Sequence, residues 1–304
     1  MTLSPPERNP LLPGSPVGKP FREPPKKPQA KVPSPAKPVR QVKTFTSAKW
    51  TGEHEGEKII IYGESGMGKT TLASLLSKPI FIGLDDGGRK IQGKILEHIP
   101  GVETLDDLRD ALRQTDLYTN YNSLVVDTLT RVDEDLALKW TLNNVFSDKG
   151  TKVSNIESYG WGKGYRHTYD TMRLFLPDLD TLIRMGKNVV LLCQSTTESV
   201  PNPGGEDFLR DAPKLQPQHG KTPSVIGLFV EWCDHVFKIG YGDITTSKKK
   251  ASSSGERVIF VHPQVHFTAK SRTIPAEFPV VSFADPTDDS IWQFVFDRAW
   301  ERSE

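Results

Sequence analysis

One stretch of eight residues constrains this chain more than any other. Gly63-Glu64-Ser65-Gly66-Met67-Gly68-Lys69-Thr70 fits the pattern G-x-x-x-x-G-K-[ST] without a mismatch. Each residue type follows from anion binding. Gly63, Gly66 and Gly68 allow backbone angles that a Cβ would forbid, so successive N–H groups can turn toward one phosphate. Lys69 supplies charge for β- and γ-phosphates, and the Thr70 hydroxyl suits Mg2+. The helix opened by Thr70 and Thr71 points its positive dipole end at the same place. Before the loop, Lys58–Tyr62 is a β-branched run of the buried parallel kind. After it, Thr71–Leu76 has helical spacing and Pro79 is expected to end the helix. Strand, loop and helix in this order predict a phosphate cradle in an α/β fold.

A phosphate loop needs further groups before it can do chemistry. Leu124-Val125-Val126-Asp127 is an apolar run ending in a carboxylate, the place for a second Mg2+ contact or a helix cap. Ile80–Leu84 is followed by Asp85, Asp86 and two glycines, which suits a water-positioning carboxylate or an Asp-Gly turn. The sequence does not choose between Asp85 and Asp86, and Glu64 is a weaker alternative. A third buried strand, Asn188–Gln194, ends in an amide that could sense a γ-phosphate. Lys270 and Arg272, two apart on a strand-like segment, could reach a phosphate across a subunit boundary or form a solvated basic edge.

Strand candidates at His235–Ile239 and Arg257–Phe267 complete the pattern. Helices are expected from Thr104, with a capping box to Asp107, through Arg113, from Leu129 to about Phe146, and from about Tyr165 to Met185. The last is expected to kink at Pro177 and end at Gly186. Alternating strands and helices predict a mostly parallel sheet with helices on both faces. Two polar segments, Ser195–Ser224 and Gly242–Gly255, read as a long loop and a flexible excursion. Ser158–Tyr169 interleaves Tyr159, Trp161, Tyr165 and Tyr169 with cations, which suits base stacking or a helix entry packed on the core.

Composition sets the outer bounds. Twelve of the 24 prolines lie in the first 40 residues, which carry eight Lys/Arg and two acids. With a formal charge of +1 overall, a +6 tail precedes a body at −5. Residues 1–43 therefore read as a disordered tail, and 44–304 as one folded domain. The tail could be a linker, a polyproline II ligand or a brush for nucleic acid. Two cysteines in apolar surroundings, Cys193 and Cys233, imply buried thiols and neither a disulfide framework nor a zinc site. With no apolar run of membrane-spanning length and no signal-peptide region, a soluble cytoplasmic protein is expected.

Taken in order, "GESGMGKTT", "FIGLDDGG", "SLVVDTLT", "VVLLCQ" and "AKSR" resemble the core of RecA-like ATPases. The nearest likeness is to phage and prophage nucleotide-binding proteins grouped with AAA-type ATPases, some of them single-strand annealing or recombination proteins. The likeness spans about residues 44–281. It implies ATP and Mg2+ held by Gly63 through Thr71, Asp127 as the Walker B acid, and Asp85 or Asp86 at the catalytic acid position. It implies Gln194 as sensor before a DNA-facing loop, and Lys270 and Arg272 as cations acting on a neighbouring subunit. Single-stranded DNA, a homo-oligomer and a single-strand binding protein or other partner for the tail are the implied associates. Two features depart from the pattern: an Asp where the family often has Glu, and a post-Gln194 loop whose Arg210, Lys214 and Lys221 are offset by Glu198, Glu206, Asp207 and Asp211. Two alternatives stand beside this reading. One is a phosphotransferase acting on a small acceptor, which would need an arginine-rich lid where the loop has only Arg210. The other is a nucleotide-gated adaptor docking through its tail.

Overall fold

The computed structural model describes residues 44, 46–47, 55–91, 93–242, 245–247, 250–252 and 255–298. The tail reading of residues 1–43 lies outside them. All elements below belong to the unit running from Thr51 to Glu304.

The chain order is β1 (Lys58–Gly63), α1 (Lys69–Ala73), β2 (Pro79–Gly83), β3 (Glu97–His98), α2 (Leu105–Arg113), β4 (Ser123–Asp127), α3 (Leu129–Arg131), α4 (Leu138–Asn144), α5 (Lys163–Arg173) and α6 (Leu176–Arg184). Then follow β5 (Asn188–Val200), β6 (Phe208–Pro213), α7 (Val225–Trp232), β7 (His235–Tyr241), β8 (Thr245–Ser247), β9 (Lys250–Ser252), β10 (Arg257–Phe260), β11 (Lys270–Ser271), β12 (Val280–Ser282) and α8 (Ser290–Phe296). The sheet runs β12-β10-β7-β1-β5-β4-β2-β3. Its members from β7 to β3 pair in parallel, and β10 and β12 add an antiparallel edge.

Both faces of the central strands are covered, which is why they read as unbroken apolar runs rather than alternating ones. Ile60, Tyr62, Leu124, Val126 and Leu191 face a layer built from α2 through α7. Ile59, Ile61, Val125, Val190 and Leu192 face α1 and α8. Each such side chain contributes about 1.5–3 kcal/mol by leaving water. Trp292 of α8 donates its indole N–H to the Leu72 carbonyl (2.9 Å), fixing α8 onto the helix after the phosphate loop. Cys193 and Cys233 are buried free thiols, as expected. Among the described residues, no helix is long and apolar enough to cross a membrane.

Several expectations hold. The Thr104–Asp107 capping box opens α2. A helical run spans Leu129–Asn144, with a π-helical stretch at Val132–Ala137 between α3 and α4. The expected third helix breaks at Leu174–Phe175, so that Pro177 sits in the first turn of α6, and Gly186 takes a left-handed φ of 78° just past its end.

Other expectations fail for physical reasons. The helix after the phosphate loop ends at Ala73, well before Pro79. The strand expected over Arg257–Phe267 stops at Phe260, and Pro263, with no N–H to donate, does not let a ladder resume beyond it. The segment Ser195–Ser224 is not a long loop. β5 continues to Val200 and β6 returns antiparallel, with Ser195 opposite Pro213 and Val200 opposite Phe208. The excursion Gly242–Gly255 contains the hairpin β8–β9. Helix α7 was not foreseen: its run of Val, Ile, Leu and Phe is as strand-like as helical, and only the Ser224 cap, accepting from Gly227 N–H (2.9 Å), marks its start.

Candidate active site

The carboxyl ends of β1, β2 and β4 lie beside the point where β5 leaves its parallel pairing. Gly63 of β1 is opposite Gln194 of β5, Asp127 of β4 is opposite Leu192, and Gly83 of β2 is opposite Asp127. This register puts the phosphate loop, Gln194, Asp127 and the turn after β2 around one cavity of about 550 Å3. Parallel sheets bind ligands at this edge because loops and helix N-termini converge there.

The loop glycines divide the work. Gly66 (φ 82°) and Gly68 (φ 97°) are left-handed, as anticipated. Gly63 is required for a different reason: a Cβ there would stand 2.7 Å from the Ile239 carbonyl oxygen, so β1 could not lie against β7. The loop is braced from behind by Arg257, whose guanidinium donates to the Met67 carbonyl (3.3 Å) and lies over the Phe283 ring (4.7 Å). Glu64 and Ser65 are exposed, and Met67 is buried in the core.

Lys69 is buried at the start of α1. Its ammonium donates to the carbonyls of Gly63 (2.8 Å) and Glu64 (2.9 Å) and to Oε1 of Gln194 (3.3 Å). Burial lowers its pKa, opposed chiefly by the Asp127 charge. Thr70 donates its hydroxyl to Oδ2 of Asp127 (2.8 Å), and Thr71 lines the cavity beside it. Asp127 is only 3% exposed. Burial first, then the neighbouring Asp85 charge, push its carboxyl up to about 6. The Asp127 carbonyl accepts the amides of Leu84 (2.6 Å) and Asp85 (3.3 Å), which folds the turn after β2 over the second carboxylate. Asp85 accepts the Gly87 amide (3.2 Å) as a turn residue, and it also lines the cavity. The side chain of Asp86 lies outside the described part. Gln194 lies within β5 rather than at its end, at the last residue paired with β1.

Lys270 and Arg272 are not brought to this cavity. β11 pairs with the start of β7, and His235 there is opposite Ile59 near the start of β1, at the end of the sheet away from the phosphate loop. Lys270 donates to the carbonyls of Val230 (2.9 Å), Glu231 (3.4 Å) and Cys233 (2.6 Å), capping the C-terminus of α7. Its ammonium is thereby committed to its own chain. Arg272 pairs with Asp234 (3.1 Å) and is 57% exposed. Arg210 lies in β6, outside the phosphate cavity.

Sequence reasoning missed Arg257, Ser74, Lys90, Lys94 and Thr287. The last four line the cavity, and Lys94 reaches the Ser74 carbonyl (3.3 Å). No motif marks them; Thr287 is more than two hundred positions from the loop and arrives through the packing of α8.

The residues present fit a Mg2+-nucleotide. Gly66 and Gly68 take the left-handed backbone that turns loop amides toward one anion, and the donor set combines an ammonium, a hydroxyl and buried carboxylate oxygens, hard ligands that match phosphate and Mg2+. Among solved structures, the chain is similar to the crystal structure of the KaiC-like protein PH0186 from the hyperthermophilic archaeon Pyrococcus horikoshii. The two are 14% identical with a TM-score of 0.38, over 75% of this chain and 90% of that one. No curated protein matches the chain. Residues 55–273, most of the chain, match the AAA domain, and with a complete phosphate loop facing a buried strand-end carboxylate the chain belongs to the AAA domain family of P-loop ATPases.

Proposed function

We propose that this chain is a RecA-like, Mg2+-dependent ATPase that acts on single-stranded DNA, in recombination or replication of the phage type, as a homo-oligomer. The observation that carries the ATPase reading is the meeting of Thr70, Asp127 and Asp85 at one cavity, with Lys69 joined to Gln194 beside them. Lys69 and the loop amides would hold the phosphates, and Thr70 and Asp127 the metal, which supplies charge neutralisation when bound. Burial raises the Asp127 carboxyl, and the charge of a bound metal would favour its ionised form. Asp85 is the group suited to accept a proton from an attacking water, since its carboxylate borders the cavity without the burial of Asp127. Gln194 ties the phosphate-contacting ammonium to a strand that continues into the β5–β6 hairpin.

The DNA role and the oligomer are supported by the family resemblance of the motifs. Of the two distal cations, Arg272 is the better candidate for a neighbour's site, since the Lys270 ammonium caps α7. The Pro-rich tail is assigned to docking a replication or recombination partner. The test is ATP turnover by the full chain with and without single-stranded DNA, at low and moderate salt. Stimulation that fades with salt supports the reading; turnover indifferent to DNA removes its DNA half.

One observation favours a second reading. A cavity of about 490 Å3, lined in part by Phe81, Leu96, His98 and Ile99, shares Asp85 and Asp127 as its wall with the phosphate cavity. A phosphotransferase would seat a small acceptor there. Phosphate release in the absence of any acceptor counts against it.

A further inference from the structure

Trp161 is 99% exposed and has φ +53°, between Gly160 (φ 72°) and Gly162 (φ 70°). The left-handed region disfavours a residue with a bulky side chain, and this one gains no burial in return. Folding alone gives no reason for an indole at this place.

The turn beneath it is firmly built. Tyr159 is buried and donates its hydroxyl to the carbonyls of Val145 (2.7 Å) and Thr141 (3.1 Å). Gly164 lies so close to Ile156 that a Cβ would stand 2.2 Å from its carbonyl oxygen. A Cβ on Gly162 would meet the His219 ring at 3.2 Å, so the turn lies directly against that ring. His219 in turn stacks on Tyr165, with centroids 3.9 Å apart and planes 24° from parallel. Reciprocal backbone bonds between His219 and Thr222 (2.9 and 3.3 Å) close the turn that carries the imidazole. Phe146, 53% exposed, lies on the neighbouring loop, which the Lys163–Asp148 ion pair ties to the start of α5.

Charge separates the two kinds of partner that exposed rings can meet. A protein-docking face would be contiguous and apolar. Here the rings alternate with glycines and cations. Residues 148–173 carry five Lys/Arg against three acids, a surplus of cations that remains with Lys163 paired to Asp148 and Arg166 to Asp170, and Lys221 adjoins the His219 turn. Planar rings within a segment of net positive charge match a polyanion whose bases are unpaired. We propose that Trp161, with the Tyr165–His219 stack beside it, is a platform on which bases of single-stranded DNA stack. The proposal rests on the single-strand reading above and adds a site for it outside the β5–β6 hairpin.

The test is fluorescence anisotropy with two labelled strands of equal length, oligo(dT) and its abasic counterpart, on the full chain with Mg2+ and a non-hydrolysable ATP analogue. Trp161→Ala should weaken oligo(dT) binding by about ten-fold, leaving abasic binding and the salt slope unchanged. Trp161→Phe should keep most of the affinity. ATP turnover without DNA should be the same in all three proteins, since none of the platform residues lines the phosphate cavity. Equal oligo(dT) binding by Trp161→Ala and the parent overturns the platform while leaving the single-strand reading standing. Equal weakening of both strands also overturns it, because the contact is then to the backbone. Failure of the parent to bind oligo(dT) overturns both.

Discussion

Thr70 and Asp127, 57 positions apart, share a hydrogen bond of 2.8 Å between hydroxyl and carboxylate. That one contact joins the end of the phosphate loop to the end of β4 and brings together two oxygens suited to one metal ion. Asp127→Asn keeps the shape and removes the charge. Mg2+-dependent ATP turnover should fall by about 100-fold or more, while nucleotide binding without Mg2+ changes little. Parallel measurements of turnover and of ADP affinity in EDTA check this.

Lys69 is the main cation at the bottom of the cradle. Lys69→Ala should raise the Kd for ATP by about 100-fold, a loss of roughly 3 kcal/mol for a charge-assisted contact. Titration calorimetry at fixed Mg2+ reads it directly. An unchanged Kd would move the phosphate site elsewhere.

The three loop glycines should differ in their tolerance. Gly66→Ala meets no atom within 4 Å and costs only its left-handed backbone, about 1 kcal/mol. Gly68→Ala adds contacts at 2.8 Å with Arg257 and 2.9 Å with Phe283. Gly63→Ala would press on a backbone carbonyl of β7, which cannot turn aside, and should be the most destabilising of the three. Urea midpoints should rank the variants in that order.

Lys270 and Arg272 should separate into different roles. Lys270→Met removes an ammonium from three helix-end carbonyls and should cost about 2–3 kcal/mol of stability. Arg272→Ala loses one exposed ion pair, worth about 1 kcal/mol or less. If Arg272 also serves a neighbour, mixing the Arg272→Ala and Lys69→Ala proteins should partly restore turnover. Absence of rescue in mixtures shown to co-assemble leaves Arg272 a local role only.

Asp133 gives a pH signature. It is buried, accepts the Gln216 amide (2.6 Å) through one oxygen, and leaves the other without a partner. Burial pushes its carboxyl from 3.8 up to about 6. The folded chain therefore keeps a proton that the unfolded chain releases between those values. Stability should decline as pH rises through this window and level off above it, by about 3 kcal/mol for a shift of two units. Asp127 acts in the same direction. The measurement is thus the difference between the parent and Asp133→Asn in urea midpoints at pH 4.5 and pH 7, with the variant showing the shallower decline.

The parts whose physics is local could be read from the residues alone. The phosphate loop is legible because its glycines, Lys69 and Thr70 act within a few residues of one another. The strands at Lys58, Ser123 and Asn188 are legible because burial on both faces demands unbroken apolar runs, and α2 because its capping box closes over three residues. Features that depend on contacts between distant segments emerged only in the fold. Asp85 reaches Asp127 only because the Asp127 carbonyl holds the turn after β2. The polar stretch after Gln194 becomes a hairpin because β6 pairs with it, which polarity alone could not announce. Lys270 turned from a possible finger into a helix cap because α7, itself hidden in strand-like residues, ends beside it. Backbone propensity and side-chain period are written residue by residue, whereas a partner's identity is fixed only when the sheet's strand order brings it within hydrogen-bonding distance.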